Sequence, residues 1–167
     1  MPDANGEAGE LALHIQVQEA AFDTAAELAR LVRPGQSGAQ ASFTGFVRDF
    51  GDAREVCAIT LEHYPGMTEA ALHDIAQEAA RRWPLHAVSI VHRVGRLELG
   101  EAIVFVGVTS AHRRAAFAAC EFIMDMLKTR APFWKKEHCA DGSAQWVAAR
   151  HGDTEAAHRW QQASDAP

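Results

Sequence analysis

The chain has 167 residues, 48% of them hydrophobic, which suits one compact domain with a substantial core. Its formal net charge of -6 argues against a general nucleic-acid or acidic-membrane binder, because such proteins carry basic surface over a wide area, so any anion site must be local. The most apolar run, around residues 102–108, is far short of the roughly 20 residues that span a bilayer, and "MPDANGEAGE" lacks the basic-then-apolar pattern of a signal peptide.

Residues 1–10 read as a loose polar tail, 11–150 as one domain and 151–167 as a tail or short helix. "LHIQV" (13–17) alternates like a half-buried strand, and "EAAFDTAAELARLV" switches to helical spacing through Phe22, Ala25, Ala26, Leu28 and Leu31. The turn formers Pro34, Gly35 and Gly38 precede two strand-like runs, Ala39 to Val47 and Val56 to His63, which read as an antiparallel pair joined by "RDFGDARE". A second helix spans about Thr68 to Trp83, with Leu72, Ile75, Ala76 and Ala79 on its buried stripe. "HAVSIVHRV" and "AIVFVGVTS" add two strands around the Gly95 and Gly100 segment. A third helix is expected from an N-cap at Ser110 to about Thr129, burying Phe117, Cys120, Met124 and Leu127. "WKKEHC" and "QWVAA" then flank the turn signal Asp141-Gly142 as a hairpin. Strands come partly in adjacent pairs, so the expected class is α+β with a mainly antiparallel sheet and three main helices.

Three basic groups stand out. In "TSAHRRAAF", His112 and Arg113 fall in a first helical turn, where free N–H groups and the positive dipole end already favour an anion. They either wait for an outside anion such as a phosphate or reach a neighbouring carboxylate. In "LKTRAPFWKKEH", Lys128 and Arg130 complement the negative end of a helix, whereas Lys135 and Lys136 lie in an extended segment. Alternation allows only one of that second pair to share a face with Glu137 and a pocket. Arg48 ends a strand in "FTGFVRDF". The three cysteines, Cys57, Cys120 and Cys139, contain no CxxC pair and suit a reducing, cytoplasmic setting, and no base accompanies Cys139 as a nucleophile. Nine histidines without ligand spacing leave no metal site to expect. Arg113 and Lys128 are fifteen residues apart, about 22 Å along a continuous helix, so one small ligand cannot touch both. The two basic groups are unrelated, or the helix breaks, or two copies of the chain share a site.

Five blocks in order, "FTGFVRD", "LEHYPGMTE", "HRVGRLELGE", "VGVTSAHRRAAF" and "MDMLKTRAPFWKKE", give the chain a resemblance to the large, catalytic subunit of molybdopterin synthase over about Ala39 to Arg150. The resemblance implies an α/β-hammerhead fold and a sulfurtransferase that converts cyclic pyranopterin monophosphate to molybdopterin. It implies a small ubiquitin-like partner whose C-terminal thiocarboxylate supplies the sulfur, a central homodimer with a shared site, and no cofactor of the chain's own. By motif it makes Lys128 and Lys135 catalytic, and assigns Phe46, Val47, Arg48, His112, Arg113, Lys136 and Glu137 to the substrate pocket. Family members often carry a basic residue where this chain has Phe46, so the contact expected there is through the backbone. The alternative is a non-catalytic homologue that binds an anionic metabolite or a partner's acidic tail.

Overall fold

The computed structural model describes residues 10–49, 55–148 and 151–162, so most of the expected N-terminal tail and part of the "RDFGDARE" connection lie outside the described residues. The elements follow the order β1 (Ala12–Gln18), α1 (Thr24–Leu31), β2 (Ala39–Phe46), β3 (Val56–His63), α2 (Met67–Arg82), β4 (Leu85–Arg93), β5 (Gly95–Glu98), β6 (Ala102–Ser110), α3 (Arg113–Arg130), β7 (Phe133–Cys139), β8 (Ala144–Val147) and α4 (His151–Gln162). They build two four-stranded sheets, β1-β4-β6-β2 and β5-β3-β7-β8. The α+β class expected from sequence is what forms, with β1 and β4 as a parallel pair among otherwise antiparallel neighbours.

The first sheet is covered on both faces, which is why β4 and β6 read as nearly continuous apolar runs. Val88, Ile90, Val106 and Val108 face α2 and α3, where Leu72, Ile75, Phe122 and Ile123 complete the main core. Ala87, Val91 and Phe105 point the other way, against Leu31 of α1. Asp23 caps α1, its carboxylate accepting from Ala25 N–H at 2.9 Å and Ala26 N–H at 3.3 Å. Gly66, at φ 84°, makes the turn into α2, and its N–H donates to Glu69 Oε2 at 2.7 Å. The second sheet closes a smaller cluster of Val47, Val56, Ile59, Leu61 and Leu97.

Several expectations need correction. β2 and β3 do not pair: β2 runs antiparallel to β6, while β3 lies between β5 and β7 in the other sheet. Ser110 ends β6 instead of capping α3; its hydroxyl donates to the Pro84 carbonyl at 2.8 Å, and the N-cap is His112. The buried stripe of α3 runs through Ala116, Ala119, Cys120, Phe122, Ile123, Met126 and Leu127, leaving Phe117 67% exposed. That stripe is rotated because α3 packs against α2 and α4 as well as the sheet. The final segment, expected as a tail or a short helix, forms the helix α4. It is held by Trp160, whose ring meets Trp83 and Phe122 edge-on at 5.6 and 5.5 Å and whose Nε1–H donates to Asp125 at 2.7 Å. Among the described residues no helix is long and apolar enough to cross a membrane.

Candidate functional site

A cavity of about 640 Å³ opens between the two sheets, and the C-terminal end of α3 forms one wall. Lys128 reaches it from the last turn of that helix, Lys135 from β7, and Arg48 from the segment after β2. Two lysines seven residues apart and an arginine far from both in sequence therefore border one space. The turn at Ala131-Pro132 makes this possible: α3 stops before the proline, and β7 starts at Phe133 heading back across the sheet.

Strand alternation settles the choice between the consecutive lysines. Lys135 and Glu137 face the cavity together, 3.6 Å apart, and the Glu137 side chain is 5% exposed. Lys136 points to the opposite face, where its ammonium lies 5.6 Å over the ring of its cross-strand neighbour Trp146. Lys128 is half exposed, and its ammonium lies 3.5 Å from Asp153 at the start of α4. Arg130, at the end of the same helix, pairs instead with Glu78 at 2.6 Å.

Phe46 and Val47 border the cavity as well. Phe46 is 57% exposed, while Val47 is buried and its backbone is engaged on both sides, donating to Glu101 O at 3.0 Å and accepting from Gly100 N–H at 2.8 Å. His112 and Arg113 stand apart, exposed at the N-terminal end of α3, whose first turn holds no acidic residue. Within one chain, α3 is one continuous helix that separates these two residues from the lysines.

His92 was not anticipated from sequence. It lines the cavity at the end of β4, 5% exposed, stacked on Phe133 with ring centroids 3.8 Å apart and an interplanar angle of 17°. Its Nδ1 is 2.8 Å from the Arg93 carbonyl, a contact that requires the proton on Nδ1. Burial pushes its pKa down to about 4, and nearby His63 adds to the effect. The imidazole is therefore neutral near pH 7. Asp153 was also unforeseen, because nothing local in "HGDTEAAHRW" ties it to a lysine 25 residues earlier. Of the cysteines, Cys57 is half-buried while Cys120 and Cys139 are buried, and burial pushes the Cys120 thiol up to about 11.

Lys128, Lys135 and Arg48 thus give this two-sheet α+β domain one open cavity bordered by three cationic side chains, the build of a small-molecule site. A family model described as MoaE protein matches residues 17–130. The chain belongs to the MoaE family. It is 59% identical over 149 residues to the molybdopterin synthase catalytic subunit of Pseudomonas aeruginosa, an alignment that takes in 89% of this chain and 99% of that one. Among solved structures it is similar to the molybdopterin biosynthesis MoaE protein of Burkholderia ambifaria, with a TM-score of 0.76, 53% identity, and coverage of 89% of this chain and 98% of that one. It is also similar to molybdopterin synthase from Staphylococcus aureus, with a TM-score of 0.75, 30% identity, and coverage of 80% and 96%.

Proposed function

We propose that this chain is the catalytic half of a molybdopterin synthase, transferring sulfur from the thiocarboxylated C-terminus of a small ubiquitin-like subunit to cyclic pyranopterin monophosphate. The observation that carries the reading is the convergence of Lys128, Lys135 and Arg48 on one cavity, inside a chain of the MoaE family. A phosphate and a thiocarboxylate are both anions, and fixed cations in a partly desolvated site bind them and offset charge that develops during attack. Lys128 and Lys135 are the groups we assign to the chemistry, and Arg48 to substrate binding. Glu137 holds Lys135, and Phe46 and Val47 shape the wall. Lys136 belongs to the outer face and supports the site only through the strand it shares. The sulfur comes from a partner, which fits a chain whose Cys120 and Cys139 are buried. Its place is the cytoplasm, with reduced thiols.

The position of His112 and Arg113 favours a homodimer in which they complete the cavity of a second copy. Their exposure and the acid-free first turn leave them available to an anion outside their own subunit. Incubating the purified chain with thiocarboxylated small subunit and cyclic pyranopterin monophosphate should yield molybdopterin. No product would leave the non-catalytic binding reading in its place, and full activity in Lys128→Ala would remove the site assignment.

A further inference from the structure

Two sequence blocks, "LEHYPGMTE" and "HRVGRLELGE", supply none of the residues assigned above, yet each sends one buried side chain to the same short turn. The turn is Ala131-Pro132-Phe133, which joins Lys128 at the end of α3 to Lys135 on β7. Its local backbone bonds are few: Ala131 N–H donates to Leu127 O at 3.2 Å, and Phe133 N–H to Ala131 O at 3.0 Å. The other supports come from distant elements. Thr68, 0% exposed near the start of α2, donates its hydroxyl to the Pro132 carbonyl at 3.1 Å and accepts from Tyr64 N–H at 3.0 Å. His92 lies flat against the Phe133 ring, and its own orientation is fixed by the Nδ1–H bond to Arg93 O.

We infer that Thr68 and His92 are positioning residues that grip this turn from α2 and from β4 and so fix Lys128 and Lys135 relative to one another. The inference rests on the proposed function for its readout and adds to it two residues with no chemistry of their own. A buried hydroxyl that serves two backbone groups has one geometry that satisfies both, so it locks the Pro132 carbonyl to the N-terminal turn of α2. A stacked, neutral imidazole sets the plane of Phe133, two residues before Lys135. Reacting groups displaced by about 1 Å lose on the order of 100-fold in rate, so the grip matters to turnover more than to binding.

The test is steady-state kinetics of the chain with its thiocarboxylated partner, on variants shown by circular dichroism to be folded at the assay temperature. Thr68→Val and His92→Leu remove one support each, while Thr68→Ser keeps the hydroxyl and His92→Phe keeps the stack. We expect kcat to fall roughly tenfold or more in the first two with KM for the pterin moving less than about threefold, and the conservative pair to recover most of the loss. Ile75→Val, a core change in α2 away from the turn, should lower Tm without lowering kcat. Wild-type kcat, within about twofold, in folded Thr68→Val and His92→Leu overturns the inference. So does loss of fold in both, which would make them general supports of the domain. Failure of the wild-type chain to form product is a different result, because it removes the proposed function itself.

Discussion

The ammonium of Lys135 lies 3.6 Å from the Glu137 carboxylate, on one face of one strand, with the lysine 37% exposed and the acid 5%. A carboxylate this buried strongly disfavours losing its cation. Lys135→Met should therefore lower the unfolding free energy by about 1–2 kcal/mol, less than the roughly 3–5 kcal/mol of a fully buried pair because solvent screens the exposed partner. Adding Glu137→Gln to that variant should restore most of the loss in urea unfolding. An unrecovered double variant would mean the lysine acts through packing instead of charge.

A shared site makes a prediction about mixtures. Arg113→Ala and Lys128→Ala chains, each inactive alone, should regain part of wild-type activity when co-assembled, because a mixed dimer holds one site with both residues intact. Mixed dimers that form, as verified by differential tagging, and remain inactive would count against sharing.

His92 gives the fold an acid-sensitive component. Its folded pKa of about 4 lies below the ordinary value of 6.5, so between these values the unfolded chain binds a proton that the folded chain does not. The native state then loses stability as pH falls through that window, by about 3 kcal/mol in all, and the contribution is constant above it. In His92→Phe this component should vanish, so the wild-type minus variant stability difference should be flat above pH 6.5 and slope below it. Urea midpoints across the range measure this, and parallel curves would show that His92 does not carry the effect.

Gly107, on β6, leaves its side-chain space to Leu31 of α1 and to Phe105. A methyl group there would sit 2.8 Å from ring atoms of Phe105 and closer still to Leu31, both almost fully buried. Gly107→Ala should cost about 1–3 kcal/mol through overpacking, read as a lowered urea midpoint with unchanged slope.

Much of this was legible in the residues themselves. The stripe of α2 emerged where helical spacing put it, the Asp141-Gly142 turn joined β7 to β8, and strand alternation alone predicted that Lys135 and Lys136 would part. Long-range pairing was not legible. Adjacent runs suggest a hairpin, but β2 and β3 carry apolar faces for two different sheets, and nothing local reveals which partner each chooses. Phe117 and Ser110 misled for a related reason: each matched a local pattern for a helix, and tertiary packing gave the buried face to other residues and the hydroxyl to Pro84. In the candidate site the cations were visible as charges out of place in an acidic chain, whereas Thr68 and His92 look like ordinary core residues until their partners are known.

The contact between Asp153 and Lys128 sets terms for every ligand of that lysine. On the function proposed above, an incoming anion meets an ammonium that already has a carboxylate of its own chain beside it. An anion that displaced that carboxylate would bind more weakly by the worth of the contact, which for so exposed a pair is below about 1 kcal/mol. Because Trp160 fastens α4 to Trp83 and Asp125, that carboxylate stays beside Lys128 whether or not a ligand is bound.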